Sequence, residues 1–274
     1  MKLKTNLIRI WAVLSCALVV SIILFLFGYI FAKGAGAVTW EFLTESPKGL
    51  ILGTEGGIFP AIVGSLYYTG IACVFAAVLG ISAAIYQVFY LKNERLRSAF
   101  SLMMQCMAGV PSIVLGLFGY ALLVLTLGWG KCVLAGGITQ GIMILPFIQV
   151  RAEKVLREAD SELVRASFAL GISRSHTIRK IVLPQVLPQL VSAVILGGCY
   201  AMGAAAPLIF TGAVIISKVP KDVMKPAMAL PYHLYMLLTQ GTSAENAYGT
   251  AFVLMMVVLV TNTAATLFAW RRRK

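Results

Sequence analysis

Residues 10–32 read IWAVLSCALVVSIILFLFGYIFA and contain no charged side chain. A helix needs about 20 predominantly apolar residues to cross the roughly 30 Å hydrocarbon core of a bilayer. The stretch therefore predicts a membrane-spanning helix close to the start of the sequence. Because it exceeds the apolar region of about 7–15 residues in a signal peptide, an uncleaved anchor is favoured. Processing at Ala35-Gly36-Ala37 is the alternative.

Stretches of the same character recur along the 274 residues. Hydrophobic residues make up 59% of the chain and charged residues only 12%, whereas a soluble domain carries about 25% charged residues. This composition excludes a soluble enzyme and a disordered chain. Only helices with internally paired backbones can face lipid in this way, so the fold class is all-α. The predicted spans are 10–31, 61–90, 100–127, 132–150, 186–215 and 248–270 of a single domain, residues 1–274.

One further apolar stretch, residues 226–244, is too short and too interrupted to span a membrane. It contains Pro226 and Pro231, and the sequence predicts an interfacial or re-entrant segment there. Small residues surround Pro207 in the fifth predicted span. Close helix packing and the lining of a transport pathway both explain such a stretch.

The basic residues predict the orientation of the chain. With both termini in the cytoplasm, 17 of the 23 Lys and Arg residues fall in inner segments and six in outer ones. Membrane proteins concentrate basic residues in cytoplasmic loops, so this distribution accounts for the net charge of +13 without a nucleic-acid partner. None of the predicted spans contains Asp, Glu, Lys or Arg, which speaks against a proton pump or voltage sensor.

The inner segment 158–184 contains SELVRASFALG (residues 161–171), which predicts a short amphipathic helix. Asp160 or Ser161 is a suitable N-cap, and Gly171 is suited to a left-handed C-cap. Leu163, Ala166 and Leu170 share one face. Docking on another protein and lying on the lipid surface both fit this pattern.

The motif Arg165-Ala166-Ser167, three residues, Gly171, nine residues and Ile181-x-Leu183-Pro184 resembles the EAA loop of ABC-importer permeases of the MetI-like type. The resemblance implies six transmembrane helices and a cytoplasmic coupling helix that contacts an ATPase. The implied coupling residues are Ser161, Glu162, Arg165, Ala166, Ser167 and Gly171. Arg165 departs from the family, which usually has glutamate at this position.

Three further stretches narrow the resemblance. GGIFPAIVGS (56–65), PSIVLGLFG (111–119) and APLIFT (206–211) are similar to the A-type permease of the phosphate (Pst) importer. The resemblance implies translocation of inorganic phosphate. It also implies four kinds of partner in a bacterial plasma (inner) membrane: a second homologous permease, a cytoplasmic ATPase dimer, an extracytoplasmic solute-binding protein and membrane lipid.

The chain departs from that family in the fifth span. The family carries an arginine and a glutamate ahead of Ala-Pro-Leu, where this sequence has Tyr200 and Ala204. An arginine offers a bidentate fork to an oxyanion, whereas a tyrosine offers one hydroxyl. The candidate pathway residues are therefore Ser112, Tyr200, Ala204 and Thr211. Another oxyanion or small solute, or a non-transporting sensor or scaffold subunit, remain alternatives to phosphate import.

No catalytic constellation or metal-ligand pattern is found in the sequence. Gly128-Trp129-Gly130-Lys131 lacks the spacing and hydroxyl of a phosphate-binding loop. We therefore expect no cofactor in this chain, no enzymatic activity of its own, and ATP and Mg²⁺ on the partner ATPase. His176 and His233 have no partners at ligand spacing, and both are interpreted as solvent or interface residues.

Overall fold

The computed structural model describes residues 2–48, 53, 55–159 and 161–271. Its helices are α1 (Lys2–Gly34), α2 (Trp40–Thr44), α3 (Phe59–Ile85), α4 (Glu94–Ala108), α5 (Ser112–Gly119), α6 (Val133–Arg157), α7 (Ser161–Ala169), α8 (Arg174–Thr177), α9 (Leu183–Met202), α10 (Ala206–Thr211), α11 (Leu230–Gln240) and α12 (Ala244–Arg271). Wider π-helical turns follow α3 at Tyr86–Tyr90, α5 at Tyr120–Thr126 and α8 at Ile178–Val182, and a 3₁₀ turn follows α1 at Ala35–Ala37. Two short antiparallel strands, β1 (Pro47–Lys48) and β2 (Glu55–Gly56), complete the described elements.

Within the described residues, five helical stretches are long and apolar enough to cross a membrane. They are Ile8–Ala37, Phe59–Tyr90, Val133–Arg157, Arg174–Met202 and Ala244–Leu267. The count becomes six if the bent pair Glu94–Ala108 and Ser112–Thr126 forms one span. The side chains of α1 between Ile8 and Phe31 are mostly exposed, as expected for a helix that faces lipid.

Helices α3 and α6 lie side by side in parallel and form the centre of the bundle. Gly137 lies against Ile71 and Gly141 against Phe75, while Gly80 faces the backbone of Gln149. The residue numbers of the contacting pairs increase together along the two helices, so the helices are parallel. Small residues let helix backbones approach closely, which is how helices associate where lipid removes the hydrophobic driving force.

The third predicted span, 100–127, corresponds to two helices with a sharp bend between them. Helices α4 and α5 meet at 95° across residues 109–111. Pro111 has no backbone donor and disfavours a helical conformation at Val110. Helix α4 therefore ends at Ala108, with Gly109 as its C-cap, and α5 begins at Ser112. Helix α4 also starts earlier than expected, at Glu94, and carries charged residues into this element.

The fifth predicted span, 186–215, also has different limits. The helical path runs from Arg174 to Met202. The chain then breaks at Gly203–Ala205 and continues as the short α10, which begins with Pro207 in its first turn. The fourth predicted span, 132–150, corresponds to α6, which extends to Arg157. Residues 226–244 contain the separate helix α11.

The segment between α10 and α11 folds back against the first turn of α6. The backbone N–H groups of Cys132, Val133 and Leu134 donate to the carbonyls of Thr211, Lys225 and Val223 at 3.1, 3.0 and 2.9 Å. The N–H groups of a first helical turn have no partner within their helix, so this segment satisfies them. The hydroxyl of Tyr68 in α3 holds the same segment by donating to the Ala227 carbonyl at 3.2 Å.

The contact between α3 and α6 generates the first prediction. A Cβ atom at Gly137 would lie 2.7 Å from Ile71 Cβ, whereas one at Gly28 in α1 meets nothing within 4 Å. Gly137→Ala should lower the free energy of unfolding by about 1–3 kcal/mol because overpacking forces the two helices apart. Gly28→Ala should leave it unchanged or raise it by about 1 kcal/mol, since alanine favours helix. Thermal unfolding in detergent measures both, and equal melting temperatures would contradict the proposed close packing.

Candidate functional site

A cavity of about 820 Å³ lies where the α4–α5 break faces α6 and α9. Its walls are largely apolar and include Met104, Met107 and Met143. Polar groups enter from Gln105, Ser112, Tyr200, Arg151 and Lys154. A concave, mostly apolar site with a few converging polar groups is the usual form of a small-molecule site.

Two of the four candidate pathway residues line this cavity. Ser112 lies in the first turn of α5, and Tyr200 lies near the end of α9 with 59% of its surface exposed. The structure places the other two elsewhere. Ala204 packs beside the buried Ala201 and Met143, and Thr211 is fully buried with its hydroxyl donating to the Pro207 carbonyl at 2.6 Å.

Gln140 is a residue of this region that the sequence reasoning missed. It lies in α6 with 1% of its surface exposed, and its Nε2 donates to the carbonyls of Ala201 at 2.9 Å and Ala204 at 3.2 Å. The Ala201 carbonyl also accepts from the Ala204 N–H at 3.0 Å, so Gln140 adds a second donor there and supplies the Ala204 carbonyl from the neighbouring helix. The sequence indicated this role only through the presence of an amide side chain within the apolar run 132–150.

A second polar cluster connects the π-helical turn after α3 with α4 and α6, on the other side of α6. Gln149 Nε2 donates to Gln87 Oε1 at 2.7 Å, and Gln87 Nε2 donates to Ser101 Oγ at 3.0 Å. Gln149 Nε2 also lies 3.3 Å from Glu153 Oε2, whose other carboxylate oxygen pairs with Arg157 at 2.8 Å. Buried polar groups of this kind fix the relative positions of the helices that carry them.

The predicted coupling helix is present as α7. Gly171 adopts φ +73°, in agreement with its predicted role as a left-handed C-cap, and its N–H donates to the Phe168 carbonyl at 3.0 Å. Asp160 and the side chains of Ser161 and Glu162 lie outside the described residues. Arg165 and Ala166 are exposed, whereas Ser167 is only 5% exposed and its hydroxyl donates to the Leu163 carbonyl at 2.8 Å.

Helix α7 presents an exposed apolar stripe. Leu163 and Ala166 are exposed, as is Leu170 directly after the helix, with 80% of its surface accessible; these three residues form the stripe. The opposite side of the helix packs through Val164 onto the buried cluster formed by Ala84, Leu156 and Val182. The apolar face of this amphipathic helix therefore points away from the rest of the chain. Such surfaces mark protein or membrane contacts.

The inner side of α7 packs on the π-helical turn that follows α3 and on the end of α6. Val88, Phe89, Leu156 and Arg157 border the groove beneath Val164 and Arg165. After the helix, Arg174 Nη1 donates to the Phe89 carbonyl at 3.1 Å. Helix α6 therefore borders both the groove beneath α7 and the cavity, and it also carries the Gln149 cluster.

The prediction that His233 is a solvent or interface residue is wrong for this chain. His233 lies in α11, outside the helices long enough to span a membrane, and is only 3% exposed. Burial lowers the pKa of His233 to about 4, so the ring is neutral at pH 7. His176 is exposed, as expected. Among the described residues, no three His, Cys, Asp or Glu side chains are grouped so that they could hold a metal ion.

The sequence profile of a protein family described as the binding-protein-dependent transport system inner membrane component matches residues 76–273. Among curated proteins, the phosphate transport system permease protein PstA 1 of Mycobacterium tuberculosis (strain H37Rv) is 34% identical, covering 89% of this chain and 82% of its own. The probable ABC transporter permease protein YqgI of Bacillus subtilis (strain 168) is 28% identical, covering 92% and 90%.

Solved structures show the same fold. A chain of the inward-facing MetNI methionine ABC transporter superposes with a TM-score of 0.66 at 20% identity, covering 77% of this chain and 94% of that one. A chain of a bacterial ABC transporter that imports alginate superposes with a TM-score of 0.64 at 13% identity and covers both chains fully.

The helix break at the end of α9 generates the second prediction. Gln140→Leu removes the side-chain donor to both carbonyls. The Ala201 carbonyl keeps the backbone N–H of Ala204 at 3.0 Å, whereas the Ala204 carbonyl is left without a donor among the described residues. We expect a loss of about 1–3 kcal/mol in the free energy of unfolding, measured in detergent. Gln185→Leu, at an exposed position near the start of α9, is the matched control and should change stability by no more than about 0.5 kcal/mol. Equal losses in the two variants would show that Gln140 does not support the break.

Proposed function

Since the chain belongs to the family of binding-protein-dependent transport system inner membrane components, we propose that its cargo is inorganic phosphate. The sequence-based predictions of an all-α membrane fold and of an ABC-importer permease subunit are confirmed by the family match and the structural likeness. The phosphate assignment is supported by relatives named as phosphate permeases. They include the mycobacterial protein above and a probable one from Methanocaldococcus jannaschii that is 29% identical over 79% of this chain.

The observation that carries the mechanism is the exposed apolar stripe on α7. An ATPase groove that binds Leu163, Ala166 and Leu170 would bury apolar surface that this chain leaves exposed. The remaining coupling residues in the proposal are Ser161, Glu162, Arg165, Ser167 and Gly171. The inner side of α7 contacts the turn after α3 and the end of α6, so closure of the ATPase would move the helix that lines the cavity.

The remaining partners and the orientation belong to the same proposal. ATP and Mg²⁺ bind to a cytoplasmic ATPase dimer, and this chain holds no cofactor and catalyses no reaction. A second, homologous permease completes the pathway against the cavity. Both termini face the cytoplasm of a bacterial inner membrane, which places residues 32–60 and 216–247 outside, where a solute-binding protein delivers the cargo.

A second candidate cargo is another oxyanion or small solute. It is favoured by Tyr200, which lines the cavity where the resembled family carries an arginine. A sensor or scaffold role without transport is a further alternative. Uptake measurements separate all three.

ATP-dependent uptake tests the cargo. The full complex of both permeases, the ATPase and the binding protein, reconstituted in liposomes, should accumulate radiolabelled phosphate only when ATP is present and this chain is included. Complexes lacking this chain and complexes without ATP are the controls. Equal uptake with and without the chain contradicts a role in transport, and uptake of sulfate but not phosphate assigns the second candidate.

Photo-crosslinking tests the docking of α7. In a background without native cysteines, a benzophenone maleimide is attached to Ala166→Cys on the stripe or to Ser98→Cys on α4, since both positions are exposed. Only the first should form an adduct with the ATPase, because only it lies on the proposed contact. If the two positions, labelled to the same extent, give the same adduct yield, α7 is not the ATPase contact.

A further inference from the structure

The charged residues that line the cavity are all cationic. Among the described residues bordering it, Arg151 and Lys154 are the charged ones, and both lie near the C-terminal end of α6. Within the described part of the chain, no carboxylate shares the wall with them. The cavity therefore has a positive potential at one end and an apolar, methionine-rich surface elsewhere. A low-dielectric wall strengthens such a field compared with open water.

Arg151 differs from the other arginines near this end of the bundle. Arg97 pairs with Glu94 at 2.6 Å and Arg157 pairs with Glu153 at 2.8 Å. In the part of the chain that the structure describes, no carboxylate lies within ion-pair distance of Arg151. Its guanidinium instead lies 5.6 Å from the centre of the Phe147 ring. Stacking on an aromatic ring orients a guanidinium without using its N–H donors.

Lys154 is less available than Arg151. Its Nζ lies 3.9 Å from Oε1 of Glu158, the residue that follows α6, so part of its field is neutralised. A lysine also acts as a point charge, whereas the planar guanidinium offers two parallel donors that match an oxyanion. Of the two cations, Arg151 therefore has the geometry and the uncommitted donors that recognition of a tetrahedral oxyanion requires.

We infer that Arg151 is the oxyanion-binding residue of this permease, with the hydroxyls of Tyr200 and Ser112 lining the same cavity. This inference rests on the proposed function and assigns a residue to its site. In the resembled family, an arginine at the position of Tyr200 would make the bidentate contact. In this chain, Arg151 makes it from α6, one face of which lines the cavity. A free phosphate and the phosphate group of a lipid offer the same chemistry to a guanidinium, and the experiment distinguishes them.

Three variants are compared in the reconstituted complete complex. Arg151→Gln keeps hydrogen-bonding capacity but removes the charge. It should lower phosphate uptake per ATP hydrolysed at least tenfold. The loss should come mainly from a higher apparent KM for phosphate delivered on the binding protein. Arg95→Gln removes an exposed positive charge from α4, away from the cavity, and should retain wild-type uptake. The double variant Arg151→Gln with Tyr200→Arg returns a guanidinium to the same cavity and should recover at least a third of the wild-type uptake.

The same vesicles are assayed with phosphate and with sulfate, so that the proposed cargo and the proposed role of Arg151 are tested separately. Equal phosphate uptake by wild type and Arg151→Gln overturns the inference and leaves the cargo standing. Sulfate uptake that depends on Arg151, without phosphate uptake by wild type, supports the inference and overturns the cargo. If neither anion is carried, both fail. A loss that varies with the anionic lipid content of the vesicles and that Tyr200→Arg does not repair assigns Arg151 to a lipid headgroup and overturns the inference.

Discussion

The close approach of α3 and α6 is the packing constraint on which the other features depend. Glycines on α6 allow the backbones to come together, and residues too large for this contact would separate the two central helices. Helix α6 then connects every functional element. Its first turn holds the segment before α11, Gln140 supports the end of α9, and its last turns form the cavity wall and contact the inner side of α7.

Two faces of α6 have different chemical roles. One face borders the cavity through Met143, Phe147 and Arg151, while the Gln149 cluster fixes the helix to the turn after α3 and to α4. A buried amide without a hydrogen-bond partner destabilises the folded state. The cluster therefore favours movement of these helices as a unit over sliding between them. In the proposed mechanism, a force applied at α7 would reach the cavity through these packed helices.

Hydropathy predicted the membrane character and most helices because the cost of leaving polar groups in lipid depends on local composition. It did not predict the 95° angle between α4 and α5. Pro111 indicates a break, but the direction in which the chain continues depends on packing against α6 and α10. Gln140 and the inward orientation of Ser167 were missed for a related reason. Their partners are decided by tertiary contacts that periodicity does not contain.

The location of positive charge in the cavity follows from the energetics of ions in membranes. A charged residue deep in a span loses hydration and requires a partner, and α9, which carries Tyr200, contains no charged residue. Arg151 lies near the C-terminal end of α6 instead, where it rests on Phe147 and remains exposed, so its desolvation cost is smaller. An anion would then bind where the pathway is already partly hydrated. Such a site attracts the ion without holding it in the apolar interior, which favours passage over tight binding.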